Sequence, residues 1–192
     1  MDLLTHLFLP VTIAYVLRPD WFASPWTFLL AGVAVLPDGD KLVAMQGSLH
    51  SLVAIAAVAA VLFVGVRVVR RVDGIDGRTA RRYALLATCL FASHALLDFL
   101  EGGPVLLFWP VSDAGVGLRY PAQLLVGGAG GSPTDVGVTN PLPEVRTTVP
   151  NRGRRSYTLV QGYGVLSLVT FLVIVGWTRI EDGRSLVDRR RE

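Results

Sequence analysis

Residues 49–71 read LHSLVAIAAVAAVLFVGVRVVRR. The run from Leu49 to Val66 carries no formal charge and is closed by Arg67, Arg70 and Arg71. A helix needs roughly 20 mainly apolar residues to cross the hydrocarbon core of a bilayer. With no water there, backbone N–H and C=O groups must bond within the segment, so such a run is read as a helix. Outward from it, four more apolar stretches stand out: Leu3 to Leu17, Trp21 to Leu36, Tyr83 to Leu100 and Tyr157 to Trp177. The first two are short for a full span and suit a re-entrant hairpin as well as two crossings.

Composition agrees. Of 192 residues, 52% are hydrophobic and 17% charged, against about 25% charged in a soluble domain. Mean hydropathy is +0.50. The net charge of +3 is not a nucleic-acid footprint, because the arginines stand at the ends of apolar blocks, where they set membrane orientation. The single cysteine, Cys89, can form no internal disulfide. The fold class expected is all-α, a polytopic transmembrane helical bundle of about five segments. One membrane domain covers 1–192. Within it, 1–113 carries the motifs, 101–156 is a long external loop, 157–178 is the last transmembrane helix and 179–192 is a basic cytoplasmic tail.

Orientation follows from the arginines. Arg67 to Arg82 holds six arginines, and the tail holds Arg179, Arg184, Arg189, Arg190 and Arg191. The positive-inside rule puts both on the cytoplasmic side, and two intervening spans keep the parity. Arg18 falls inside as well. Arg152, Arg154 and Arg155 fall outside, against the rule, but twelve basic residues stand inside and six outside. Trp21, Trp26, Trp109 and Trp177 suit interfacial anchoring. The protein is therefore expected in the plasma or inner membrane, with its C-terminus cytoplasmic.

The polar residues then fall into place without having been used. His6 lies near the outer end of the first segment, Asp38 and Asp40 end the second, His50 opens the third, and His94 and Asp98 occupy the outer half of the fourth. Six ionisable side chains from four segments thus share one level toward the external face. Ionisable groups inside a membrane are costly and mark function by default. His94 and Asp98, four apart, share a helix face. Imidazole and carboxylate are zinc ligands, and a divalent cation offsets the cost of burying carboxylates. His6, Asp38, Asp40, His50, His94 and Asp98 are the candidate metal ligands, with Asp40 either bridging or acting as general base. Singly, each has a plainer reading: Asp38 follows Pro37 as a turn residue would, and Asp2 suits an N-cap although it stands four before His6.

At these residues the chain resembles the membrane-bound, metal-dependent hydrolases typified by the LexA-regulated inner-membrane protein YdjM. The resemblance lies in Thr5-His6, Pro37-Asp38-Gly39-Asp40, His50-Ser51, Ser93-His94 through Asp98, Gly102-Gly103 and Pro110-Val111-Ser112, over about residues 1 to 113. It departs at Gln46-Gly47-Ser48-Leu49, where a family-like Arg and Thr are missing. The order of His, Pro-Asp, His and His-x-x-x-Asp is also similar, more distantly, to zinc-dependent phospholipase C. The resemblance implies a membrane hydrolase with one or more divalent ions, zinc first, acting on a phosphoester or lipid-like substrate, with membrane lipid as partner and no nucleic acid. A transporter or ion-binding protein using the same histidines and aspartates is the alternative. Substrate, metal number and oligomeric state stay open.

Overall fold

The structure is a computed structural model that describes residues 2–41, 47–71, 76–101, 103–119, 123–126, 136–139, 144–148 and 159–189. Four α-helices form its frame: α1 (Leu3–Leu17), α2 (Leu52–Val69), α3 (Gly77–Leu100) and α4 (Gly162–Arg189). A short 3-10 turn, Pro19–Phe22, and a long 3-10 segment, Pro25–Lys41, lie between α1 and α2, and a single 3-10 turn, Ser48–His50, leads into α2. Three helical stretches, Leu52–Val69, Gly77–Leu100 and Gly162–Glu181, are long and apolar enough to cross a membrane, and α1 is a shorter apolar helix. The all-α membrane bundle expected from the sequence is the architecture found.

Helix starts follow their caps. Asp2 caps α1, accepting the Thr5 N–H. Ser51 is extended (φ −84°, ψ 154°) and its Oγ accepts the Ala54 N–H, so the third segment begins at Leu52 rather than Leu49. Asp76 caps α3 through the Thr79 and Arg78 N–H groups. Those bonds hold its carboxyl below the usual carboxylate range. The fourth segment therefore begins at Gly77, not Tyr83, with Arg78, Arg81 and Arg82 in its first turns. The last begins at Gly162, not Tyr157, and continues to Arg189, through most of the stretch expected as a tail.

The second segment is the main departure. It is a 3-10 helix of 17 residues, whereas runs beyond 3–4 residues are uncommon. Its burial repeats every third residue: Ala31, Ala34, Pro37 and Asp40 are buried while Gly32, Leu36 and Gly39 are exposed. Side chains three apart eclipse one another in this helix type, so one narrow stripe of small residues faces the bundle and ends on Asp40. At a rise of about 2.0 Å per residue the segment spans roughly 34 Å, where an α-helix of that length would reach only about 25 Å.

The passes alternate in direction, so His6, Asp38, His50, His94 and the start of α4 come to one end. The opposite end holds Arg18, Arg67, Arg70, Arg81 and Arg82, with Arg82 3.9 Å from Asp20. Between the ends the core is Val11, Tyr15, Phe22, Ala31, Ala34, Leu86 and Leu90. Phe28 joins Tyr15, Phe22 and Phe171 in an aromatic cluster with centroids 5.0–5.8 Å apart. Tyr15 Oη bonds Thr178 Oγ1, fixing α1 beside α4.

The described residues of the 101–156 connection include two antiparallel pairs. β1 (Gly115–Arg119) pairs with β4 (Glu144–Thr148), and β2 (Gln123–Val126) with β3 (Val136–Thr139), the inner pair nested in sequence within the outer. Val105 bridges to Val116, and the Leu52 N–H donates to the Leu107 carbonyl, so the segment after α3 seats on the start of α2. Gln46, Gly102, Arg152, Arg154, Arg155, Arg190 and Arg191 lie outside the described residues.

Candidate metal centre

Three imidazoles and two carboxylates point at one spot. His6 Nε2 is 3.0 Å from Asp98 Oδ1. His94 Nε2 is 3.1 Å from Asp38 Oδ1 and 3.6 Å from Asp98 Oδ2. His50 Nε2 is 3.4 Å from Asp98 Oδ2 and 3.8 Å from Asp38 Oδ1. The rings of His6 and His94 stack at 4.0 Å, and His50 meets His94 edge-on at 4.9 Å. His6, His50 and His94 are buried, while the Asp38 and Asp98 side chains keep 18% and 22% exposure. The two carboxylates therefore form the accessible edge.

Each imidazole is held from behind through Nδ1. His6 Nδ1 donates to the carbonyl of Asp2, the N-cap of its own helix, at 3.0 Å. His94 Nδ1 donates to the Ala34 carbonyl at 2.7 Å, an approach the small residue at 34 permits. His50 Nδ1 donates to Asp40 Oδ2 at 3.2 Å. A carbonyl or carboxylate oxygen can only accept, so Nδ1 carries the proton in all three rings. In the neutral ring Nε2 is then a lone pair.

Three lone pairs aimed at two carboxylates repel unless positive charge lies between them. Protonating all three rings would bury three imidazolium ions at one end of a membrane bundle, whereas one divalent cation matches the charge of Asp38 and Asp98. Two overlapping groups have the spacing for an ion: His6, His94 and Asp98, and Asp38, His50 and His94, with donor atoms in each within 4.8 Å of one another. Tetrahedral ligands at about 2.0–2.1 Å from zinc stand roughly 3.3 Å apart. The observed separations of 3.0–3.8 Å bracket that value. The donor set fits the ion, and the carbonyl or carboxylate behind each Nδ1 is the usual support of a metal-bound histidine.

Of the six candidate ligands, five turn toward the common spot. Asp40 stands apart. Its Oδ2 accepts from His50 Nδ1 and from the Leu49 N–H at 3.0 Å, and its Oδ1 is buried with no hydrogen-bond partner among the described residues. The three-residue period of the 3-10 segment separates Asp38, at the accessible edge, from Asp40, on the buried stripe. Asp40 thus backs His50.

Two contributors escaped the sequence reading. Ala34 acts through its backbone carbonyl, which no side-chain motif reports. Gly164, on α4, donates its N–H to Asp2 Oδ2 at 3.1 Å. A Cβ at Gly164 would collide with the Asp2 carboxylate, so only glycine lets α4 come this close. Asp2 itself had a visible signal, its place four before His6. It binds Thr5, His6 and Gly164 at once, joining α1, the His6 ring and α4.

A family model described as YdjM inner membrane protein matches residues 1–177, which extends past the motif-bearing region through most of α4. No curated protein and no solved structure matches the chain.

Proposed function

The chain belongs to the YdjM inner membrane protein family, and from that premise we propose that it is an integral membrane metal-dependent hydrolase acting on a phosphoester. The observation that carries this is the convergence of three Nε2 atoms on Asp38 and Asp98, with every Nδ1 already committed behind. Zinc suits the nitrogen and oxygen donors, and when bound it supplies Lewis acidity and an acidified water at neutral pH.

The chain's own residues do the rest. His6, His50 and His94 hold the ion in a fixed tautomer. Asp38 and Asp98 balance its charge and, at the accessible edge, are placed to take a proton from the attacking water. Asp40 keeps the His50 Nδ1 proton in place and so orients that ring. The motif order shared with zinc-dependent phospholipase C supports a phosphodiester. The arginine pattern supports a cytoplasmic C-terminus and, with it, a site toward the external face.

The transporter reading finds less support. Val11, Leu86, Leu90, Tyr15 and Phe22 fill the core between the site and the arginine end, which is a poor path for an ion or a proton. The deciding test is metal content of the detergent-purified protein, wild type against His94→Ala and Asp38→Ala, followed by a panel of phosphodiesters. A wild-type protein without stoichiometric metal removes the basis of the proposal. Metal without any cleavage moves it to binding or transport. Labelling a cysteine placed in the 113–150 connection of a Cys89→Ser protein reads the orientation, and labelling from the cytoplasmic side alone reverses it.

A further inference from the structure

The helix faces that carry the site continue as an apolar groove. On α1, His6 is followed at four-residue steps by Pro10 and Ala14. On α3, Asp98 and His94 are preceded at the same step by Leu90 and Leu86. Residues four apart lie on one helix face, so both stripes run without interruption from ligand-type residues into hydrocarbon. Pro10, Ala14, Leu86 and Leu90 all line a cavity of about 340 Å³ between α1 and α3.

The cavity exists because small residues fail to fill the gap. Ala14 on α1 and Cys89 and Ser93 on α3 are among its lining residues, while Ile13 and Leu96, 51% and 55% exposed, stand as rims open to the bilayer. Along α1 it extends from Leu9 to Leu17, about 12 Å at 1.5 Å per residue. Its near end reaches Leu9, Ser93 and Leu97, the last two adjoining His94 and Asp98 in sequence, its middle is hydrocarbon-lined, and its far end meets Arg18 and Trp21.

We infer that this groove binds one acyl chain of a membrane phospholipid and thereby presents the lipid's phosphoester to the histidine–aspartate cluster from within the bilayer. The polarity supports that occupant over a helix or a second copy of the chain. A groove whose same two faces turn from apolar to cation-holding at one end complements a single amphiphile with an anionic head. The inference rests on the hydrolase reading for its substrate, but occupancy of the groove can be measured without turnover.

The test is photo-crosslinking of the full chain in nanodiscs made with a phospholipid bearing a diazirine in its acyl chain. Metal content is read on the same samples. The outward face of α2, with Val53, Val61 and Val64 exposed, reports contact with bulk lipid. Adducts on 9–17 and 85–97 are expected severalfold above those on α2, and Ala14→Phe, which fills the groove, should bring them to the α2 level. Ser93→Leu serves if Ala14→Phe does not fold. Labelling no greater than on α2, or enrichment that both filling variants leave intact, overturns the inference. Metal without enrichment sinks the groove alone, whereas enrichment without metal sinks the hydrolase and leaves a lipid site.

Discussion

The two ends of the bundle treat charge in opposite ways. At the histidine end, Asp2, His6, Asp40, His50 and His94 are buried, and each is tied to a neighbour by hydrogen bonds. At the arginine end, Arg82 and Asp20 stand 3.9 Å apart with 49% and 56% of their side chains exposed. A buried polar group costs several kcal/mol unless satisfied, so the first end must be organised in detail. An exposed pair is worth about 0–1 kcal/mol, so the second can be loose. The positive-inside rule asks only that arginines be numerous, whereas the histidines need to be exact in position to hold anything.

That contrast predicts a steep ranking of substitutions. His94→Ala should have the largest effect. His94 touches Asp38 and Asp98, bonds Ala34, and packs on both other imidazoles, so its loss removes one candidate ligand and the support of two more. Metal measured on purified protein should fall to background, and retention near the wild-type level would break the comparison at its strongest point. Next is Asp40→Asn, which keeps the volume while weakening the hold on His50 Nδ1. Loss of such a supporting partner costs about 10–100-fold in metal affinity, to be read by chelator competition. Complete loss of metal would instead make Asp40 a direct ligand, and no change would strip it of any role.

How much of this was legible depends on the kind of signal. α1 was bounded at Leu3 and Leu17 by its apolar run, and His6, His50, His94, Asp38 and Asp98 were found because membrane burial makes any ionisable residue conspicuous. The 3-10 segment was not found, since a three-residue stripe of Ala31, Ala34, Pro37 and Asp40 is too small and too apolar to stand out in a hydrophobic block. With the period missed, Asp40 was set on the ion beside Asp38, as a bridging ligand or general base. Ala34 and Gly164 were invisible for another reason: one acts through a carbonyl, the other through the absence of a side chain. Helix starts at Gly77 and Leu52 were readable in Asp76 and Ser51, but hydropathy, which the arginines interrupt, outweighed the caps.

Gly164→Ala sharpens the comparison from a residue outside the ligand set. The added Cβ meets the Asp2 carboxylate, and overpacking of this kind costs typically 1–3 kcal/mol. Thermal unfolding in detergent should show that loss. Metal affinity should weaken as well, though less than in Asp40→Asn, because the displaced Asp2 also holds His6 Nδ1. Unchanged stability and affinity would mean that α4 docks without bearing on the site.

Asp20→Asn should do least, and it tests the other half of the contrast. The substitution removes the partner of Arg82 at the exposed end, keeps the size of the side chain, and leaves every arginine in place to set orientation. At 3.9 Å and about half exposure the pair is screened by solvent, so its loss should cost within about 0.5 kcal/mol. The small difference should fade further in high salt, since exposed charges are screened over about 10 Å at 0.1 M. Metal content should match the wild type, because the apolar core from Val11 to Leu90 separates this end from the histidines. A cost above about 1 kcal/mol, or one indifferent to salt, would mean that Asp20 and Arg82 are structural. A fall in metal content would mean that the two ends are coupled through the core and that the sharp division between them is wrong.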